Sequence, residues 1–301
     1  MSQEVPSKEG IPPFLDVTRL SWRQMLVIPV LFLLLNIGIL VWNKASTGSY
    51  VHYGIDFTGG SLISFPNCYE LAPDQIEQEL KKELRLSEVS VRKGGGVLSV
   101  EVQSGASAVL DYMSKKYHKV GSTTTLEVPL AQVFKRQAPV VLAAAFVGMA
   151  IVVYVVFRIP IPSLAVVLSA IFDIVEALGL MTLFGVRLSL ATVAALLMLI
   201  GYSVDTDILL TSRLLKRKEV LEERLLGAMK TGLTMSATTL CALSALYIFS
   251  TSDVLDDMAL VLIFGLAGDL LNTWLFNAGM LRGYLSKKYR MMARRARRGK
   301  R

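Results

Sequence analysis

The sequence predicts an α-helical polytopic membrane protein of six transmembrane helices that carries one α+β domain outside the membrane. Two observations predict it. Six apolar stretches, each long enough to cross a bilayer, are interrupted once, between the first and second, by a polar stretch of roughly ninety residues. The composition agrees, because 301 residues with 53% hydrophobic content and a positive mean hydropathy leave too little polar surface for a soluble protein of this size.

In chain order, residues 1–24 read as a cytoplasmic N-terminal segment and 25–43 as the first transmembrane helix, with its apolar run from Met25 to Trp42. That run is too long for the h-region of a signal peptide and no small-residue cleavage pattern follows it, so the expectation is a retained span. Residues 44–136 form the external domain. Residues 137–282 hold spans two to six, with apolar runs Pro139 to Phe157, Ser163 to Phe184, Leu188 to Leu210, Thr234 to Ser250 and Met258 to Leu281. Residues 283–301 form a basic cytoplasmic tail. Backbone polar groups have no water partner in lipid, so such runs must be helical.

Charge placement sets the expected orientation. Lys and Arg collect at Arg19 and Arg23, at Arg158, at Arg213, Lys216, Arg217, Lys218, Arg224 and Lys230, and along Arg282 to Arg301. With six alternating spans these segments share one side, whereas the turn with Asp253, Asp256 and Asp257 has no basic residue. The positive-inside rule puts both termini in the cytoplasm and the domain outside a cytoplasmic (cell) membrane. The net charge of +8 and the run Arg294, Arg295, Arg297, Arg298, Lys300, Arg301 fit anionic lipid at the tail better than nucleic acid, for which no specific partner is expected. Leu221, Leu225, Leu226 and Met229 recur at helical spacing among charges and predict a helix lying in the interface between spans four and five.

Within the domain the pattern reads strand (Gly60 to Phe65), helix (Pro73 to Leu86), hairpin, helix (Ala106 to Tyr117) and strand (Thr123 to Val128). The hairpin is Ser87 to Arg92 and Val97 to Gln103 around Gly94-Gly95-Gly96. The β-α-β-β-α-β order is ferredoxin-like. Ile76, Leu80 and Leu84 fall on one helix face that would cover the sheet. His52 and His118 stand apart from any ligand set, so no metal and no cofactor is expected. Cys68 and Cys241 lie in different environments and are expected as free thiols. In Tyr53-Gly-Ile-Asp-Phe-Thr-Gly-Gly60, the glycines Gly54, Gly59 and Gly60 around Asp56 permit a tight backbone path. No Lys-Ser or Lys-Thr follows, so a phosphate-binding loop is unsupported and a structural turn is the better reading.

Charged groups at membrane depth are costly and usually mark a pathway or a bundle interior. Asp173 and Glu176 share a face of span three with Ser169. Asp205 and Asp207 of span four project about 200° apart and cannot share a face. Gly265, Asp269 and Asn272 form a stripe on span six, with Gly268 allowing close packing. Span five opens Lys230-Thr-Gly-Leu-Thr-Met-Ser-Ala-Thr-Thr239, small and hydroxylated. Asn36, Asn272 and Asn277 suit interhelical hydrogen bonding. Buried carboxyls with few cations nearby can carry protons, which makes Asp173 and Asp205, with Asp207 behind them, candidates for a proton relay. Glu176, Lys230, Asp269 and Asn272 are possible accessory groups.

Three motifs, Tyr53-Gly-Ile-Asp-Phe-Thr-Gly-Gly60, Phe172-Asp-Ile-Val-Glu-Ala-Leu-Gly179 and Ile200-Gly-Tyr-Ser-Val-Asp-Thr-Asp-Ile-Leu-Leu-Thr-Ser-Arg213, together resemble the SecF family of protein-export membrane proteins. With SecD, that family belongs to the resistance-nodulation-division superfamily. The resemblance covers nearly the whole chain and implies half of a superfamily-type bundle. It also implies no enzymatic role but an accessory one, in which the chain acts with SecD and a SecYE-type translocon on a translocating polypeptide and draws on the proton gradient. The bacterial pattern in span four is close to Gly-Tyr-Ser-Ile-Asn-Asp-Thr, so an ungapped match sets Asp205 at its Asn, Thr206 at its Asp and Asp207 at its Thr. The bacterial intramembrane Arg of span five falls at Thr231, beside Lys230. The Asp-Thr-Asp form is similar to archaeal members, whose cells lack the bacterial ATPase motor.

Three rivals stand beside this reading. A small-molecule exporter of the same superfamily usually carries two such halves and paired external domains. An intramembrane aspartyl protease needs Gly-x-Gly-Asp, but Gly201-Tyr-Ser-Val-Asp205 has its Asp one position late. A structural stabiliser of the complex, moving no protons, is the strongest of the three.

Overall fold

The computed structural model describes residues 21–66, 68, 71–86, 89–94, 97–126, 128–215, 221–250 and 252–298. The expectations for residues 1–20, for Lys216, Arg217 and Lys218, for Gly95 and Gly96 of the hairpin and for Lys300 and Arg301 lie outside the described residues. The first helix, α1 (Trp22–Thr47), starts at a capping box. Gln24 N donates to Ser21 Oγ at 3.3 Å and Ser21 N to Gln24 Oε1 at 2.9 Å, which satisfies two donors that a helix start leaves orphaned. It ends on Gly48 at φ +81, the left-handed cap that glycine adopts without Cβ strain.

The polar stretch folds as α2 (Ile55–Thr58), β1 (Gly60–Phe65), α3 (Pro73–Glu83), β2 (Val89–Gly94), β3 (Val97–Val102), α4 (Ala106–Tyr117) and β4 (Ser122–Leu126). The strands make one sheet in the order β2-β3-β1-β4, antiparallel throughout. Alternation assigns the faces: Ile63, Phe65, Val91, Leu98, Val100 and Val102 point to one side and bury against Ile76 and Leu80 of α3 and Val109 and Met113 of α4. Helix α3 stops at Glu83, earlier than the expected Leu86, because the chain turns through Leu84 and then Arg85 at φ +50.

Five of the described helices contain a segment long and apolar enough to cross a membrane: α1, α5 (Val128–Phe157), α6 (Pro160–Leu183), α7 (Leu190–Leu215) and α8 (Leu221–Phe249). The protein is therefore a multi-pass membrane protein. Helix α9 (Asp253–Leu271) is set apart by Asp253, Asp256, Asp257 and Asp269, and runs through a π-helical turn (Asn272–Asn277) into α10 (Ala278–Arg298). Over half of the apolar window of α6 and of α7 is buried (56% each), against 17% for α1 and 11% for α5 and α8. The bundle core is thus α6, α7 and α9, with the other three at its periphery. Leu199 of α7 sits where a Cβ on Gly265 would meet its Cδ2 at 2.1 Å, so that glycine sets the α7–α9 approach.

The predicted separate interfacial helix between spans four and five is corrected. Leu221 to Met229 are the first turns of α8, continuous to Phe249. Leu225 and Met229 are buried against Leu210, Leu214, Trp274 and Leu281, so their periodic face serves the bundle and not the membrane surface.

Candidate functional site: a buried acidic cluster

The three core helices converge on carboxyls. Helix α6 brings Asp173 and Glu176 to one face, α7 brings Ser203 and Asp207 one turn apart, and α9 with its π-helical turn brings Asp269, Asn272, Thr273 and Asn277. Glu176, Ser203, Asp207, Asp269, Asn272, Thr273 and Asn277 are all fully buried, and Asp173 is nearly so. Asn272 Nδ2 donates to Asp173 Oδ1 at 2.7 Å and to Glu176 Oε2 at 2.8 Å, spending its two hydrogens on two acids. Ser203 Oγ donates to Asp173 Oδ2, and Asn277 Nδ2 to Asp207 Oδ1 at 2.7 Å. Thr273 Oγ1 lies 2.8 Å from Asp207 Oδ1 and 2.9 Å from Asp269 Oδ1.

These partners are neutral, and among the described residues no ion pair reaches any of the four acids. Glu176 Oε1, Asp207 Oδ2 and Asp269 Oδ2 are buried with no hydrogen-bond partner among those residues. Packing closes the site. A Cβ on Gly268 would stand 2.6 Å from Glu176 Oε2, so only glycine lets that acid lie against α9. Phe172 and Phe276 pack beside it with ring centroids 4.5 Å apart. The π-helical turn carries Asn272, Thr273 and Asn277, and such turns inside helices often occur at functional sites.

The sequence argument ranks Asp173 and Asp205 ahead of Asp207, and the structure brings Asp207 rather than Asp205 together with Asp173. Asp207 is inside the cluster with Asp173, Glu176, Asp269 and Asn272. Asp205 is on the outer face of α7 with Gly201 and Tyr202, all exposed. The 200° separation is the cause: once α6 and α9 cover Asp207, Asp205 must point away from them. Lys230 is exposed on α8, away from the acids. Thr273 is the residue that sequence reasoning missed, together with Ser203. The available signal was the repeat Asp269, Thr273, Asn277 at four-residue steps, one polar face of a helix.

The glycine motif takes a different position, between the external domain and the bundle. Gly54 N donates to Leu188 O at 2.9 Å and Leu188 N to His52 O at 2.7 Å. Asp56 Oδ2 accepts from Leu190 N at 2.7 Å, placing a carboxylate on the N-terminus of α7, where the helix dipole favours it. Gly59 and Gly60 have φ of +78 and +132, and a Cβ at Gly60 would meet Val102 O at 2.6 Å. Beside this seam Arg92 of β2 donates from Nη1 to Asp257 Oδ1 and Oδ2 at 2.9 and 2.7 Å and from Nη2 to Gly185 O at 3.1 Å. Arg187 pairs with Glu101 of β3. The sheet face not covered by α3 and α4 is thereby tied to the ends of α6, α7 and α9.

Fold and cluster define a polytopic membrane protein whose helix core is lined by uncompensated acids, with one small α+β domain clamped to one end. The sequence family described as Protein export membrane protein SecD/SecF, C-terminal, matches residues 106–287. Protein-export membrane protein SecF of Pyrococcus furiosus is 44% identical over 274 residues, 88% of this chain and 92% of that protein. SecF of Methanolacinia petrolearia is 41% identical over 281 residues, 90% and 97% of the two chains. The chain belongs to the SecF family of protein-export membrane proteins. Its fold is similar to the crystal structure of SecDF, a translocon-associated membrane protein from Thermus thermophilus, with a TM-score of 0.69 at 21% identity over 92% of this chain. The chain spans 39% of that longer SecDF chain.

Proposed function

We propose that this chain is an accessory subunit of protein export that works with SecD at a SecYE-type translocon, promoting passage of the translocating polypeptide across the cytoplasmic membrane, and that its buried acids carry protons while doing so. The names of its relatives support the export role. In this reading α9 and the start of α10 make the sixth span. The external domain is ferredoxin-like and extracytoplasmic, both termini are cytoplasmic, the basic tail lies against anionic lipid, and no catalytic turnover is involved.

One observation carries the proton reading. A threonine hydroxyl has a single hydrogen, yet Thr273 Oγ1 is within hydrogen-bond distance of both Asp207 and Asp269. Two ionised carboxylates can only accept and would have to share that one hydrogen, whereas a full two-centre bond to each acid is formed when one of them is protonated and donates to the hydroxyl. In this reading a proton is held between two helices, and shifting it changes which acid Thr273 pairs with. Moving one charge through the full membrane potential yields about 2.3 kcal/mol per 100 mV, enough over repeated cycles to bias a movement.

The rival is a purely structural network, favoured by the same hydrogen bonds joining three helices. Asp173→Asn, Asp207→Asn and Asp269→Asn, each co-purified with SecD and assayed for export under an imposed gradient, separate the two. A relay residue assembles normally and loses gradient-dependent export, whereas a structural acid loses assembly first. Wild-type export by all three variants overturns the proton reading.

A further inference from the structure

We infer that the groove between the start of α1, the start of α6 and α10 is a binding site for one anionic phospholipid, with its phosphate held by Arg23, Lys287 and Arg290. The cavity holds about 870 Å³ and opens at the end of the bundle opposite the external domain. Leu26, Ile161, Met280 and Met291 supply an apolar floor. Arg23, Lys287 and Arg290 line it and are exposed.

The walls are aromatic. Trp22 lies on Gly283, where a Cβ would come within 3.3 Å of its ring, and the Arg23 guanidinium sits 5.2 Å from the Trp22 ring centroid. Tyr284 also lines the cavity. Tryptophan and tyrosine at the end of a span mark headgroup depth. A cation triad above an apolar floor at that depth matches a phosphate joined to a hydrocarbon chain, and basic pockets between helices on the cytoplasmic side bind such headgroups. This goes beyond attraction of the tail to the membrane, because the cations come from two helices that are far apart in sequence and the floor needs a third.

The test uses the purified full chain in detergent, titrated with phosphatidylglycerol or phosphatidylcholine, with retained lipid counted by native mass spectrometry. One phosphatidylglycerol should be retained and phosphatidylcholine should not replace it. Inorganic phosphate at the same concentration should not displace it, because the chain supplies the rest of the affinity. Arg23→Gln/Lys287→Gln/Arg290→Gln should weaken retention on the order of a hundredfold, as expected for three cations at an anionic headgroup. Arg294→Gln/Arg295→Gln/Arg298→Gln, which removes the same charge further along the tail, should leave it unchanged. Equal loss in both triple variants overturns the proposal in favour of unspecific tail attraction. Equal retention of the two lipids overturns it as well.

Discussion

Replacing Thr273 by valine keeps the volume of the side chain and removes the one hydroxyl shared by Asp207 and Asp269. Asp207 Oδ1 then keeps Asn277 at 2.7 Å, while Asp269 Oδ1 loses the contact at 2.9 Å. Each lost buried contact to an ionisable group costs about 1–3 kcal/mol, so Thr273→Val, which removes two, should destabilise the bundle by about 2–6 kcal/mol. Asp269→Asn should cost less than about 1.5 kcal/mol, because its amide donates permanently to Thr273 where the native acid needs a proton. In Thr273→Val/Asp269→Asn the uncompensated acid is gone, and the cycle should give a coupling of at least about 1 kcal/mol. Thermal unfolding in detergent, followed by size-exclusion profile and run on all four proteins, measures it. A Thr273→Val protein within about 0.5 kcal/mol of wild type, or additive single effects, would refute the shared-proton reasoning.

Gly268→Ala sets a methyl 2.6 Å from Glu176 Oε2 and should cost about 1–3 kcal/mol of overpacking in the same melt, with Glu176→Ala restoring part of it. Arg92→Met breaks the bidentate pair with Asp257 and the contact to Gly185 O. The expected loss is about 2 kcal/mol, together with faster proteolysis of the external domain in limited digestion. Glu79 accepts from Lys116, Tyr117 and Tyr112, and the Lys116 contact first holds its carboxyl below the usual range. Its contribution is therefore fully present above pH 4.5 and is lost as pH falls through the depressed native value. Because the site is exposed, Glu79→Gln should cost under about 1 kcal/mol at neutral pH and flatten the acid limb of the denaturation profile.

Periodicity was enough for most of the fold. Alternation in Gly60–Phe65 and Val97–Val102 and the Ile76, Leu80 stripe foretell the sheet and its helix cover, because each pattern has one period and one buried face. Within the cluster, Asp173 with Glu176 and the Gly265, Asp269, Asn272 stripe were legible for the same reason. The choice between Asp205 and Asp207 was not, since helix geometry separates the two faces without saying which neighbour covers either. The fate of Leu221 to Met229 was hidden likewise: an amphipathic face fits a membrane surface as well as it fits Trp274 and Leu281. Nor does any sequence pattern announce the π-helical turn at Asn272–Asn277.

The placement of α9 joins the two ends of the molecule. Its second turn holds Asp257 against Arg92 of the external sheet, and its last turn holds Asp269 in the acid cluster, with α6 and α7 packed along it. Gly265 and Gly268 bring its backbone close to Leu199 and Glu176, so rotation or translation of α9 cannot be absorbed by soft side chains between them. On the proposed proton reading, a change in which acid holds the shared proton would alter the contacts of Thr273, a residue of the π-helical turn where backbone geometry already departs from the α-helix. A helix seated this tightly would, on that reading, transmit such a change as a rigid-body shift, and the Arg92 clamp is the point at which the external domain would receive it. Export that becomes insensitive to the gradient in Arg92→Met, while Asp207→Asn alone removes gradient dependence to the same degree, would place both residues on that one path. Full gradient dependence in Arg92→Met would confine the effect of the cluster to the bundle.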